Sequence, residues 1–160
     1  MVKHQRKLNT MVIFILWEEI QESILFNDYH TNKKGKLKKS KTDGASINNY
    51  LKFKIDDYDV FVGKNNLQND YLTTKLANKN DMWFHVKDLQ GSHVILRCNG
   101  ETPKLETIIE CAKLAAKYSK AKFSSHVPVD YCLVKYVKKP NGAQPGYVIY
   151  TTNKTEYVDP

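Results

Sequence analysis

The sequence predicts an α+β domain, a largely antiparallel sheet with two main helices packed on it, preceded by an N-terminal helix and a basic linker. Three observations predict it. Short runs of alternating apolar residues come in pairs separated by turn-forming residues, the pattern of hairpins. Two stretches between those pairs carry apolar residues three and four apart, as amphipathic helices do. The resulting order, β-β-α-β-β-α-β-β, points to an antiparallel sheet with the helices on one side.

The elements follow along the chain. In residues 11–26, Val12, Ile13, Leu16, Trp17, Ile20, Ile24 and Leu25 recur at helical spacing, and Asn9 or Thr10 can cap the run. Residues 1–29 are therefore expected to form an N-terminal helix. Residues 30–49 hold Lys33, Lys34, Lys36, Lys38, Lys39 and Lys41 with Gly35 and Gly44, against a single acid, Asp43. Like charges repel, so this stretch reads as an extended basic linker. The folded domain is expected over residues 50–160.

That domain opens with strands at 51–55 and 58–62 around Asp56 and Asp57. A short helix is expected at 70–77, capped by Asp70, with Leu72, Leu76 and Ala77 on its buried side. Residues 82–87 and 92–97 read as a second strand pair closed by a turn at 88–91. Pro103 fits the first turn of the next helix, whose face is marked by Leu105, Ile108, Ile109, Ala112, Ala115 and Ala116 through Tyr118. Strands at 129–137 and 147–152 close the domain, joined by a turn-forming stretch at 138–146 with two prolines and two glycines.

Composition narrows the function classes. The chain has 160 residues, 41% hydrophobic and 26% charged, which suits one globular domain with an appendage. Its 25 basic and 17 acidic residues give +8, favouring a polyanionic partner. Residues 1–49 and 50–160 contribute +4 each, so the shorter segment is the denser. Cys98, Cys111 and Cys132 are odd in number and lack a CxxC pair, which suggests a reducing, cytoplasmic setting without disulfides. Lys3, Arg6 and Lys7 before the apolar run 11–17 imitate a signal peptide, but Glu18 and Glu19 follow at once and no small-residue cleavage site appears. The run is too short to span a bilayer, so no membrane partner is expected.

Three constellations could carry chemistry. The stretch Gly63, Lys64, Asn65, Asn66, Leu67, Gln68, Asn69, Asp70 lies between a strand and a helix. Its amides can read base edges or sugar hydroxyls, and Lys64 can meet a phosphate. Asparagines also stabilise turns by bonding their own backbone, so both readings stand. It lacks the GK[ST] ending of a phosphate-cradling P-loop.

The second hairpin places Trp83 and His85 on one face of a strand, with Lys87, Ser92, His93 and Arg97 nearby. A base could stack on Trp83 or on an imidazole while the cations meet the backbone. The plainer alternative buries Trp83 in the core and the histidines in a polar network. An acid–base pair of His85 and His93 acting on RNA is a further option, and the hairpin register decides whether they meet. Zinc on His85, His93 and Cys98 lacks a fourth ligand, and no metal or cofactor is expected. The third cluster is Lys135, Lys138 and Lys139 beside the stiff loop Pro140, Asn141, Gly142, Gln144, Pro145, Gly146. A basic loop held in one shape loses little freedom on binding phosphate. The alternative is a plain surface hairpin whose lysines keep it solvated.

Taken together, GKNNLQND at 63–70, WFHVKDLQGSHVIL at 83–96 and VKKPNGAQPGYVIY at 137–150 closely resemble the NFACT-R domain. That domain is the C-terminal part of the NFACT family, which includes bacterial RqcH, long called fibronectin-binding protein A, and the eukaryotic Rqc2 and NEMF proteins. The match covers about residues 50–160, and the preceding helix and lysine run resemble the end of the family's coiled coil and its linker. The resemblance implies an RNA-binding module, not an enzyme, that contacts rRNA or tRNA on the obstructed large ribosomal subunit. It further implies a part in ribosome-associated quality control, in which stalled nascent chains receive alanine tails. Lys64, Asn65, Asn66, Asn69, Trp83, His85, Lys87, Ser92, His93, Arg97, Lys135, Lys138 and Lys139 are the candidate RNA contacts. Self-association through the N-terminal helix is left open. The rival readings are a fibronectin-binding surface adhesin and an RNA-modifying or cleaving enzyme using His85 and His93.

Overall fold

The computed structural model describes residues 47–160. The helix expected at 11–26 and nearly all of the linker expected at 30–49 lie outside the described residues. Strands β1 (Leu51–Ile55) and β2 (Tyr58–Val62) form the first hairpin in the expected places. Its turn is Asp56 and Asp57, at φ of 47° and 66°. Two successive left-handed residues match the twist of a tight hairpin, and aspartate tolerates that conformation better than most residues.

Helix α1 (Asn66–Tyr71) follows and runs into a π-helical turn at Leu72–Leu76. It begins before the expected residue 70, because Asn65 caps it and Asp70 lies inside it. Strands β3 (Met82–Val86) and β4 (Val94–Leu96) form the second pair. Helix α2 (Leu105–Lys117) comes next, with Pro103 just outside it. Strand β5 (Val127–Leu133) then ends in a 3-10 turn, Val134–Tyr136. The single strand expected at 129–137 is thus split, and β6 (Val137–Lys138) pairs with β7 (Ile149–Tyr150) in a separate two-stranded sheet. Strand β8 (Lys154–Val158), not expected from the sequence, pairs with β5 along an edge of the main sheet.

The main sheet has six strands in the order β1-β2-β4-β3-β5-β8, and all its pairings are antiparallel. One face carries Val60, Val62, Phe84, Val86, Val94, Leu96 and Val129, covered by α2 through Cys111, Ala112, Ala115 and Ala116. Small alanines let the helix axis approach the sheet closely. The other face carries Phe61, Trp83, Ile95 and Cys132, packed with Leu72, Tyr71, Tyr136, Val148 and Tyr150. The expectation of helices on one side is therefore corrected: α2 and the α1 segment cover opposite faces. The reason lies in β2, β3 and β4, whose runs YDVFV, MWFHV and VIL are apolar at successive positions and need cover on both faces.

Candidate nucleic-acid interface

The loop after β2 is shaped by its own amides. Asn65 Oδ1 accepts from Gln68 N–H at 2.9 Å, and Gln68 Oε1 accepts from Lys64 N–H at 2.9 Å. This reciprocal pattern satisfies donors at the start of α1, as a capping box does. Asn69 is buried, its Oδ1 accepting from His93 N–H at 3.0 Å and its Nδ2 donating to the Gly91 carbonyl at 3.4 Å. The Ser92 hydroxyl donates to the Gly63 carbonyl. A Cβ on Gly63 would stand 2.1 Å from Asn69 Oδ1, so only glycine admits this arrangement.

A third segment joins these two. Ser92 N–H donates to the Tyr118 carbonyl at 3.0 Å, and Lys120 N–H to the Gln90 carbonyl at 3.1 Å. Gly91 forms a β-bridge with Ser119, and a Cβ there would lie 2.8 Å from the Ser119 Cβ. The three segments enclose an open cleft of about 200 Å³, lined among others by Lys64, Asn65, Asn66, Gln90, Ser119 and Lys120. Two lysines and three amides suit the oxygen-rich surface of a ribose-phosphate chain, while the Ser119 hydroxyl donates to the Ala116 carbonyl at 2.7 Å and shapes the wall. Lys64 and Asn66 are exposed.

The loop between β6 and β7 is clipped to α1. Asp70 Oδ1 accepts from Lys139 Nζ at 2.6 Å and from Gly146 N–H at 3.1 Å. Gly146, at φ of 81°, lies so close to α1 that a Cβ would be 3.2 Å from the Asn66 carbonyl oxygen. Lys139 is thus engaged by Asp70 at the surface; Lys138 and Lys135 are exposed as well, Lys135 over the Tyr136 ring at 5.1 Å. Lys87 is exposed in the turn after β3, and none of these three lines the cleft.

The aromatic cluster expected to stack bases is turned inward, which corrects that part of the expectation. Trp83 is completely buried, stacked on His85 at 5.7 Å, tilted against Tyr150 at 4.7 Å and edge-on to His93 at 5.3 Å. No face of its ring is open to a base. His85 and His93 do meet, edge to face at 5.4 Å. His93 is 2% exposed, and its Nδ1 lies 2.7 Å from the Thr73 hydroxyl. Burial, reinforced by His85, holds its imidazole at about 3, so it is neutral across the physiological range. Burial also lowers His85, against opposing contributions from two backbone bonds and from Asp130. His93 cannot reach a substrate, so of the two imidazoles only the part-buried His85 is open to one. Arg97 is part-buried and engaged within the fold, donating from Nη2 to the Leu76 carbonyl at 2.6 Å, with Asp81 at 3.6 Å and the Phe61 ring at 5.1 Å.

Among the described residues, no group of three His, Cys, Asp or Glu side chains is placed to hold a metal ion. The cysteines are buried and unbridged, and burial pushes the thiols of Cys111 and Cys132 up to about 12 and about 11. Among the described residues no helix is long and apolar enough to cross a membrane.

Residues 49–151 match the family described as the NFACT protein RNA binding domain, a span that takes in every segment around the cleft. The chain belongs to this family. The chain is 45% identical over 143 residues to the Rqc2 homolog RqcH of Bacillus subtilis, covering 89% of this chain and 24% of that protein. It is 40% identical over 151 residues to the Rqc2 homolog RqcH of Streptococcus suis, covering 89% of this chain and 25% of the relative. The chain thus spans about a quarter of these relatives. A solved structure, the C-terminal part of the fibronectin/fibrinogen-binding protein from Streptococcus suis, superposes with a TM-score of 0.66 at 44% identity, over 69% of this chain and 45% of that one.

Of the sequence-predicted contacts, Lys64, Asn65, Asn66 and Ser92 come together at the cleft, with Asn69 locked beneath it. Sequence reasoning missed Gln90, Ser119 and Lys120. The available signal was Gly91 beside a polar run after α2, but a bridge between residues 28 positions apart has no local signature.

Proposed function

We propose that this NFACT RNA-binding domain grips the ribose-phosphate backbone of structured RNA in the cleft between Lys64 and Lys120. The carrying observation is the convergence of three separate segments, at 63–69, 90–92 and 118–120, on one rigid polar concavity. Rigid donors lose little entropy when they engage phosphate, which is how a small surface reaches useful affinity. Lys87, Lys135 and Lys138 extend the basic surface outside the cleft. The RNA is ribosomal or transfer RNA on the obstructed large ribosomal subunit in the cytoplasm, within the quality-control system that adds alanine tails. The role is binding and not turnover, in keeping with the burial of His93, which keeps one imidazole of the pair from any substrate.

Fluorescence anisotropy with structured RNA between about 50 and 200 mM salt tests the reading, because released counterions make affinity fall with salt. A steep fall is expected, and binding that is absent or indifferent to salt overturns the proposal. Co-sedimentation with isolated large subunits tests the ribosomal assignment separately. A fibronectin-binding reading has one observation behind it, the name of the streptococcal structure. Surface plasmon resonance against fibronectin decides it.

A further inference from the structure

The turn after α2 carries a feature that the cleft does not use. Phe123 is 93% exposed, the most exposed of the large apolar side chains among the described residues. Its backbone is held on both sides: Lys122 N–H donates to the Ser119 carbonyl at 3.3 Å and Ser124 N–H to the Ala121 carbonyl at 2.9 Å. Ala121 is 4% exposed and its N–H donates to the Ser119 hydroxyl at 3.0 Å, anchoring the turn to the core. The same Ser119 and Lys120 line the cleft, so the ring projects from the continuation of one cleft wall.

The surroundings are cationic. From residue 111 to 129 the chain carries Lys113, Lys117, Lys120 and Lys122 and no acid. Lys113 is paired with Glu110, and Lys122 Nζ lies 5.1 Å from the Phe123 ring centroid. Beyond the turn, His126 stacks on the exposed Tyr157 at 4.8 Å, with Asp159 accepting from His126 N–H. An exposed ring flanked by lysines and held on a rigid turn is how sequence-tolerant binders present a stacking surface to single-stranded nucleic acid.

We propose that Phe123 is a stacking platform for an unpaired nucleobase of the RNA whose backbone lies in the cleft. This rests on the RNA-binding reading above and adds that the domain selects an unpaired nucleotide next to its phosphate grip. A base pair inside a helix has both faces covered by its neighbours and cannot use the ring.

The test uses the full chain with two RNAs of equal length, an oligouridylate and a duplex whose two ends are closed by non-nucleotide linkers, measured by anisotropy. Phe123→Ala is expected to weaken oligouridylate binding about 5- to 150-fold, the range for one stacked base, and to leave duplex binding within about twofold. Lys64→Ala with Lys120→Ala is expected to weaken both. Phe123→Trp supplies a direct reporter, whose emission is expected to be quenched by oligouridylate and not by duplex. If Phe123→Ala leaves single-strand affinity unchanged, or weakens both RNAs equally, the platform is refuted while the cleft reading stands. Wild-type chain that binds neither RNA refutes both. Emission of the Phe123→Trp variant that answers to anionic phospholipid vesicles and not to RNA refutes the nucleobase and assigns the ring to a lipid surface.

Discussion

The two faces of the sheet are built on different chemistries. Beneath α2, the buried residues are chiefly valines, alanines, Phe84 and Leu96, with two thiols, the Tyr131 phenol and the Thr107 hydroxyl as the polar exceptions. On the opposite face the apolar residues adjoin buried polar groups: Asn69, Thr73, His93 and Asp130. Asp130 accepts from the Tyr150 hydroxyl and from the Thr155 hydroxyl, each at 2.6 Å. Burial and this bond raise the Tyr150 phenol above its usual range, so it stays a donor. The first face supplies burial free energy, whereas the second fixes where loops stand, because a buried hydrogen bond tolerates only one geometry. A binding surface made of loops therefore grows from the second face, and its polar interior is the scaffold of the site.

Substitutions can break that contrast, and the apolar face offers the largest loss of stability. Phe84→Ala removes a fully buried ring and is expected to cost about 3–5 kcal/mol in urea unfolding. RNA affinity of the molecules that remain folded should not change. Asn69→Leu is expected to cost about 1–3 kcal/mol by orphaning His93 N–H and the Gly91 carbonyl. It should also weaken RNA binding by letting segments 63–69 and 91–93 part, an effect Phe84→Ala lacks.

The pH dependence of stability isolates the polar face further. The unfolded chain protonates the residue-93 imidazole below about 6.5, whereas the folded chain resists protonation down to about 3. Stability from this group is complete above about 6.5 and is lost as pH falls from there towards 3. The loss between pH 7 and 5 is at most about 2 kcal/mol, and urea titrations at both values measure it. His93→Gln should flatten that slope, and a slope left intact by the substitution would assign it elsewhere. The smallest effect on stability belongs to Lys64→Ala, the loss of an exposed side chain, within about 0.5 kcal/mol. The same change should reduce the salt slope of RNA affinity by about one, which separates the exposed wall from the buried scaffold.

Some of this was legible in the residues and some was not. The hairpin around Asp56 and Asp57 and the face of α2 were readable because turn chemistry and periodicity are local. Strand β8 was missed because its sequence, KTEYV, becomes a strand only by pairing with β5. The start of α1 was misplaced because Asn65 and Asp70 are both good caps by composition. Tertiary demand separates them: Asp70 is recruited by Lys139 and Gly146, leaving Asn65 to cap. Of the site, Lys64, Asn65, Asn66 and Ser92 were found as motif residues, whereas Lys120 and Phe123 belong to no motif among the three strings.

The residues alone determined that this chain would form an antiparallel α+β domain with a basic surface and resemble an RNA-binding family. Those properties follow from composition, period and motif order, which need no partner distant in the chain. Tertiary structure alone decided which polar residues hold the loops and which face outward. An asparagine or a histidine serves either role with the same side chain, and only the atoms brought within about 3 Å of it choose between them.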